Sequence, residues 1–243
     1  MWIKICANTT LRDALRAAES GADAVGFVFA PSSRQVSPHQ VGAITTELPY
    51  DLTQIGVFVT HDFEEITATV RTAGLHGIQI HGGLDLPLLE KLRCECGHDY
   101  FLIQTLHWEV DTDPDASAQH LLAEYRAVAR KGLVDAVLID AKTATASGGT
   151  GRTVNWTLIH EVLFPEAVPA AAGGPRIILA GGLTPENVAE AITTLRPWGV
   201  DVASGVEERP GKKDSARVNA FIRNARTAFA EIEKPRTPFP VQP

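Results

Sequence analysis

The chain has 243 residues and a formal net charge of −7. This length suits one α/β barrel domain with a large core, and the absence of a long basic run argues against nucleic acid or an anionic membrane as partner. No apolar run is long enough to span a membrane, and the first residues lack the features of a signal peptide, so we expect a cytoplasmic protein. The odd number of cysteines, 3, indicates reduced thiols rather than a disulfide framework.

Strand-like and helix-like segments alternate from one end of the chain to the other. Short apolar runs predict strands at residues 2–6, 24–29, 54–59, 76–80, 100–106, 136–140, 177–180 and 200–203. Amphipathic runs predict helices at residues 10–20, 38–48, 62–72, 85–94, 116–130 and 154–163, a helix starting at 184, and a last helix at 214–231.

Eight successive strand-then-helix units predict a closed (β/α)8 barrel, the TIM barrel of the α/β class. We expect a single domain over residues 1–232 and a proline-rich, disordered C-terminal tail at residues 233–243. The alternative is an open doubly wound sheet. That fold usually has a glycine-rich turn after its first strand, whereas the first strand here ends in Cys6-Ala7-Asn8, so the barrel is favoured.

The predicted strands seven and eight both end in small residues, Gly181-Gly182 and Ser204-Gly205, which we call the strand-end turns. Thr184 is a candidate N-cap for the helix that follows the first of them. Bare N–H groups beside a helix N-terminus bind anions, and the loops after strands seven and eight of a barrel often hold a phosphate. The alternative is two tight connections without a ligand, but the repeat within one βαβ unit favours a phosphate site.

Two reactive side chains stand at predicted strand ends, where a barrel places its chemistry. Cys6 ends strand one and Asp140 ends strand six. A thiolate can remove a proton from carbon next to a carbonyl or imine, and a carboxylic acid can protonate a sugar oxygen, so together they form a general base and a general acid. The alternatives are a small buried hydrophobic residue for Cys6 and a loop-capping carboxylate for Asp140.

Four more polar residues at the same predicted end are candidates for contact with a ligand. Arg34 lies in a serine-rich loop that can close over a ligand, or it is a solvated charge. Gln79 and His81 lie at the end of strand four, where a structural hydrogen-bonding role is the alternative. Asp201 can orient a substrate hydroxyl or join neighbouring strands.

No metal or cofactor site is expected from the sequence. Cys94 and Cys96 lack a second pair of metal ligands nearby, and neither a P-loop nor an H-E-x-x-H arrangement occurs. The glycine-rich residues 147–151 are candidates for a flexible lid or for additional N–H donors.

Several motifs, taken together, resemble the phosphoribosylanthranilate isomerase family of tryptophan biosynthesis. They run in family order from residue 3 to about residue 230: KIC, AESGADAVGFVFAPSSRQVSP, GVFV, IQIHG, LIDAKT, SGGTGRT, LAGGLTPENV, VDVASGVE and PGKKD. The resemblance implies an Amadori rearrangement of N-(5-phosphoribosyl)anthranilate to 1-(2-carboxyphenylamino)-1-deoxyribulose 5-phosphate. It also implies catalysis without metal or cofactor, by a monomer or a homodimer.

The resemblance assigns roles to the candidate residues. Asp140 would protonate the ribose ring oxygen, and Cys6 would then remove the proton from C2′. Arg34 would face the anthranilate carboxylate, and Asp201 would lie near the reacting sugar. The backbone of the two strand-end turns would bind the phosphate.

The sequence departs from the family pattern beside several of these residues. Ala7 stands where glycine is usual, Gln35 where an aromatic is usual, Thr60 where asparagine is common, and Ala141 where threonine or serine is usual. Turnover and substrate breadth are the properties that these departures affect.

Two alternative functions stay open at this stage. One is the sister isomerase of histidine biosynthesis, which acts on a larger substrate with two phosphates and typically uses two aspartates. The other is a catalytically idle binding protein that has kept the phosphate site. Retention of both Cys6 and Asp140 favours the isomerase of tryptophan biosynthesis over either.

Overall fold

The computed structural model describes residues 1–109, 113–142, 156–168 and 172–233. Within these residues, eight parallel strands form a closed barrel in chain order. The first strand pairs with the second and also with the eighth, so the sheet has no open edge. The predicted (β/α)8 barrel is confirmed, and the alternative of an open doubly wound sheet is wrong.

The strands and helices alternate as predicted, with a small hairpin added before the last helix. The strands are β1 (Trp2–Ile5), β2 (Ala24–Val28), β3 (Thr53–Phe58), β4 (Gly77–Ile80), β5 (Phe101–Glu109), β6 (Ala136–Lys142), β7 (Arg176–Ala180), β8 (Gly199–Val202), β9 (Glu207–Arg209) and β10 (Lys212–Lys213). The helices are α1 (Leu11–Glu19), α2 (Pro38–Thr45), α3 (Phe63–Ala73), α4 (Leu86–Cys96), α5 (Pro114–Ala129), α6 (Trp156–Leu163), α7 (Val188–Leu195) and α8 (Ser215–Glu233).

Side-chain caps determine where most of the early helices begin. In each of five helices, the residue before the first turn accepts a hydrogen bond from the amide three residues later, which satisfies a donor that the helix cannot pair itself. These caps are Thr10, Ser37, Asp62, Asp85 and Asp113. Because Asp113 caps and Pro114 occupies the first position, α5 begins before the predicted residue 116.

The strands β5 and β6 are longer than predicted. Their pairing continues from His107 opposite Asp140 to Glu109 opposite Lys142, so the prediction that strand five ends at Leu106 and strand six at Asp140 is wrong. The apolar run ends at those positions, but backbone ladder hydrogen bonds do not depend on apolar side chains. Asp140 therefore projects from within β6.

The helix α7 begins one turn after the predicted start. The Thr184 hydroxyl accepts a hydrogen bond from the Glu186 amide, and the Val188 amide donates to the Thr184 carbonyl, but regular helix begins only at Val188. The predicted tail lies outside the described residues except for Glu233, the last residue of α8. Residues 147–151 also lie outside them.

The two ends of the barrel interior differ in chemistry. Apolar side chains such as Trp2, Ala24 and Ile55 fill the end where the strands begin, and Trp2 stacks there on Trp198 at 5.4 Å between ring centroids. At the other end the interior is polar, with buried Lys4, Gln79 and Asp201. The polar end is therefore the one that can bind and transform a polar ligand. Among the described helices, none is long and apolar enough to cross a bilayer.

Candidate active site

A cavity of about 420 Å³ opens at the carboxyl ends of the barrel strands. It is bounded by residues from β1, β2, β3, β4, β6, β7, β8 and the loops that follow them. Every site residue predicted from the sequence lines it: Cys6, Arg34, Gln79, His81, Asp140, Gly181, Gly182, Asp201, Ser204 and Gly205. Six strands that are far apart in sequence, and the loops after them, thus bring these ten residues to one place.

Cys6 directly follows β1 and is nearly buried, with 6% of its surface exposed. Its amide donates to the Val202 carbonyl at 2.8 Å, so the closure of the barrel between β1 and β8 fixes its position. Burial raises the pKa of the Cys6 thiol. The ammonium group of Lys4 works against this rise, as does that of Lys213, whereas the carboxylate of Asp201 adds to it.

A buried polar network lies beneath Cys6. Lys4 is fully buried, and its Nζ lies 3.1 Å from Asp201 Oδ2 and donates to Gln79 Oε1 at 2.6 Å. The amide nitrogen of Gln79 donates in turn to the Thr105 hydroxyl at 3.1 Å. Burial disfavours the ammonium, but the charges of Asp201 and Cys6 outweigh it and raise the pKa of Lys4. The ion pair with Asp201 thus favours the ammonium form of Lys4.

Asp140 faces the cavity beside two histidines. His81 Nε2 lies 3.6 Å from Asp140 Oδ2, and the His107 ring packs edge-on against the His81 ring at 5.2 Å between centroids. His107 Nε2 also lies 3.1 Å from the His81 carbonyl oxygen. His107 was missed by the sequence analysis because the predicted strand five ends one residue before it.

Arg34 is held in place by a carboxylate that the sequence analysis did not select. Its Nε and Nη2 form a fork with Glu207, with the shortest distance 2.7 Å from Nη2 to Oε2. Lys213 Nζ reaches Glu207 Oε1 at 3.2 Å, and the Gly211 amide donates to the same oxygen at 3.3 Å. A guanidinium has five N–H donors, so Arg34 keeps donors for a ligand in the cavity.

The charges of Arg34, Glu207 and Lys213 stabilise one another. Burial alone would raise the pKa of Glu207, but the hydrogen bond from Arg34 and the charge of Lys213 keep it below the usual value. Burial lowers the pKa of Lys213, against the attraction of Glu207. Glu207 lies in the SGVE motif and Lys213 in the PGKKD motif. The sequence indicated only that an acidic and a basic residue follow the predicted strand eight, and not that they form an ion pair.

The two strand-end turns lie against each other. Gly181 and Gly182 have φ angles of 80° and 65°, a region that favours glycine. A Cβ on Gly205 would lie 1.8 Å from the Leu183 carbonyl oxygen, so only glycine allows this approach. Asn187 Nδ2 donates to the Gly182 carbonyl at 3.0 Å and so fixes the first turn. Together the turns form a compact wall of backbone groups on the cavity.

Of the four departures from the family pattern, Ala7 has the clearest structural consequence. It is buried and has a φ of 60°, in the left-handed region that disfavours side chains. The Thr60 hydroxyl donates to Glu65 at 3.0 Å and accepts from the Asp62 amide, outside the cavity. Gln35 lies outside the cavity lining as well, and the side chain of Ala141 lies outside the described part.

The cysteines at the end of α4 lie in a different part of the molecule. Cys94 is exposed and Cys96 is half-buried. In the described ranges, no group of three or more histidine, cysteine and carboxylate side chains is arranged to hold a metal ion.

Known proteins are similar to this chain over most of its length. The family model for N-(5'phosphoribosyl)anthranilate (PRA) isomerase matches residues 3–224. The N-(5'-phosphoribosyl)anthranilate isomerase of Pelobacter propionicus is 40% identical over 230 residues, which cover 94% of this chain and 97% of the relative. That of Symbiobacterium thermophilum is 38% identical over 244 residues, which cover 93% and 98%.

Solved structures give the same result. Phosphoribosyl anthranilate isomerase from Thermotoga maritima is 36% identical with a TM-score of 0.76, over 93% of this chain and 99% of that one. A phosphoribosyl anthranilate isomerase in complex with reduced 1-(o-carboxyphenylamino)-1-deoxyribulose 5-phosphate is 33% identical with a TM-score of 0.72, over the same shares. The family resemblance seen in the motifs is confirmed: the chain belongs to the phosphoribosylanthranilate isomerase family.

Proposed function

We propose that Cys6 and Asp140 catalyse the isomerisation of N-(5'-phosphoribosyl)anthranilate, the reaction for which the family is named. As a member of that family the chain is an aldose–ketose isomerase of tryptophan biosynthesis. The observation that supports the two roles is the single cavity that contains a thiol, a carboxyl group, an arginine and two glycine-lined turns.

The reaction needs one acid and one base, and no atom is gained or lost. Asp140 donates its proton to the ribose ring oxygen, the C1′–O bond breaks, and the anilino nitrogen forms a Schiff base with C1′. The Cys6 thiolate removes the proton from C2′, which gives an enolamine. This enolamine tautomerises to the 2′-ketone of 1-(2-carboxyphenylamino)-1-deoxyribulose 5-phosphate.

The other cavity residues hold the ends of the substrate. Arg34, fixed by Glu207, pairs with the anthranilate carboxylate, and the backbone of the two strand-end turns binds the 5′-phosphate. Asp201, Gln79 and His81 contact the sugar, which lies between the carboxylate end and the phosphate end of the substrate. Anchoring both ends places C2′ against Cys6 and the ring oxygen against Asp140, which is worth several orders of magnitude in rate.

The test is the loss of substrate fluorescence in Cys6→Ser and Asp140→Asn variants. We expect each to reduce kcat/KM at least ~100-fold, the usual contribution of a general acid or base. Cys94→Ser is the matched control, because Cys94 is exposed and does not line the cavity, and it should keep the wild-type rate. A wild-type rate in either active-site variant would refute the assigned role.

Turnover of each candidate substrate separates the remaining functions. The tryptophan precursor should be converted by the wild-type protein. Conversion of only the histidine precursor would support the sister isomerase, and no conversion of either would support an idle binding protein.

The assembly state and the location of the protein are proposals from its family membership. A Thermotoga maritima relative at 33% identity and a TM-score of 0.73 is described as dimeric, so either a monomer or a homodimer is consistent with the family. Light scattering on the purified protein decides between them. The cytoplasm stays the proposed location, because the chain belongs to a family of biosynthetic enzymes.

A further inference from the structure

A lysine ammonium lies inside the barrel directly beneath the proposed base. Lys4 and Cys6 are two residues apart on one extended segment, so their side chains point to the same side. A Cβ built on Gly26 would lie 2.6 Å from Cys6 Sγ and 3.2 Å from Lys4 Cε, which places those two atoms within about 6 Å of each other. Opposite charges at such distances favour each other's charged forms.

The burial of this lysine has no evident benefit for folding. Its side chain is 0% exposed, and its partner Asp201 is 9% exposed. Buried ion pairs rarely add to stability, because desolvation of both charges offsets their attraction. A well-packed apolar side chain at this position would fill the barrel at a lower cost in desolvation free energy. The burial of Lys4 therefore points to a role in the site above it.

Asp201 contacts Lys4 and also lines the cavity. Its Oδ2 lies 3.1 Å from Lys4 Nζ. Its Oδ1 is buried and has no hydrogen-bond partner among the described residues, although Asp201 lines the cavity. One oxygen is thus committed to the lysine, and the other is an acceptor available to a substrate hydroxyl.

We propose that Lys4 is a positioning residue of the isomerisation, whose buried ammonium stabilises the Cys6 thiolate and holds the Asp201 carboxylate toward the substrate. The inference rests on the proposed role of Cys6 as base. Lys4 itself does not line the cavity, so it acts through Cys6 and Asp201 rather than by contact with substrate.

The charged groups that face Cys6 come from several elements. Lys4 on β1 and Lys213 on β10 are cations, and Asp201 on β8 is an anion. Arg34, from the loop after β2, also interacts with Cys6, and Glu207 is paired with both Arg34 and Lys213. Lys4 and Asp201 therefore influence Cys6 in opposite directions, and this difference in sign can be measured.

The experiment titrates Cys6 in the resting protein, without substrate. Thiolate absorbance near 240 nm, taken as the difference from a Cys6→Ser protein, gives the midpoint, which is the pH at which half of Cys6 is ionised. The pH dependence of iodoacetamide labelling of the Cys6 peptide gives an independent value of the same midpoint. Exposed Cys94 in the same samples is the internal reference. The proteins are the wild type, Lys4→Met, Asp201→Asn and the double variant.

We expect Lys4→Met to raise the Cys6 midpoint by about 1 pH unit or more, and Asp201→Asn to lower it by a comparable amount. In the double variant the Cys6 midpoint should return toward the wild-type value. At pH 7, labelling of Cys6 in Lys4→Met should be roughly 10-fold slower, and the acid limb of its kcat/KM profile should move by the same amount as the midpoint.

A merely structural role for Lys4 gives a different pattern. Loss of activity with an unmoved midpoint, or midpoints that move in the same direction in both single variants, would overturn the proposal. Should Lys4→Met fail to fold, Asp201→Asn alone still tests it, since an unchanged or higher midpoint there contradicts it. An active Cys6→Ser protein would instead refute the proposed base, whatever the titration shows.

Discussion

The chemistry of Cys6 depends on its surroundings more than on its own side chain. A buried thiol by itself stays protonated, because burial raises its pKa. The cations Lys4 and Lys213 counter that effect, and each is itself neutralised by a carboxylate, Asp201 or Glu207. The site can therefore hold two buried lysines without a large net charge.

The left-handed backbone of Ala7 predicts that a glycine at this position would stabilise the protein. Its φ of 60° costs an alanine about 1–2 kcal/mol, and glycine removes that cost while adding freedom to the unfolded chain. We expect Ala7→Gly to raise the free energy of unfolding by about 0.5–1 kcal/mol. Urea unfolding measures it. Ala189→Gly in α7, an exposed helical position, should lose about 0.5–1 kcal/mol, and equal losses in both proteins would contradict the strain at Ala7.

Residue types and strand ends were enough to select the cavity lining, but not the groups behind it. Cys6 and Asp140 end apolar runs and Asp201 lies within the short predicted strand eight, so their place at one barrel end was predictable. Lys4 and Glu207 were missed because their partners are far away in sequence: Asp201 for Lys4, and Arg34 for Glu207. Only the closed barrel brings those pairs together.

At the element scale, the contact between the two strand-end turns depends on a single missing side chain. The Gly205 backbone approaches the Leu183 carbonyl so closely that a Cβ would overlap it. We expect Gly205→Ala to separate the turns and to lower kcat/KM at least ~10-fold, mainly through KM, because displacing a binding group by about 1 Å can cost ~100-fold.

Steady-state kinetics and inhibition by inorganic phosphate measure this effect. The control is Gly83→Ala, since a Cβ there meets nothing within 4 Å and the residue has no positive φ. Unchanged KM and unchanged phosphate inhibition in Gly205→Ala would show that the turns do not bind the phosphate.

Element boundaries show where apolar patterns stop being informative. The strands β5 and β6 continue through polar residues because each supplies the other's backbone hydrogen bonds, as in the pair His107 and Asp140. The hairpin of β9 and β10 was not predicted because it is made of charged residues, yet it places Glu207 beside Arg34.

For the whole molecule, the barrel places an aromatic cluster at one end and the cavity at the other. Trp198 stacks on Trp2 at the end where the strands begin, and the Arg176 guanidinium lies 4.6 Å from its ring centroid. This end is opposite the cavity. We expect Trp198→Ala to cost about 2 kcal/mol and to lower Tm by roughly 4–8 °C, while kcat/KM stays within ~2-fold of wild type.

Thermal unfolding and the fluorescence assay measure the two quantities in the same protein. Tyr50→Ala is the control, since Tyr50 is 96% exposed and its loss should leave Tm unchanged. A tenfold loss of kcat/KM in Trp198→Ala would show that the two ends are coupled.

The amino-acid sequence by itself determined the eight alternating units, the closed fold and the position of Cys6, Asp140 and the strand-end turns at one end of the barrel, because each depends on local periodicity or on a residue at or near a strand end. Only the tertiary structure decided how those groups are charged and held. The pairs Lys4 with Asp201 and Arg34 with Glu207 join residues 197 and 173 positions apart. Such pairs form only when the closing strands meet, since electrostatic interaction depends on distance in space and not along the chain.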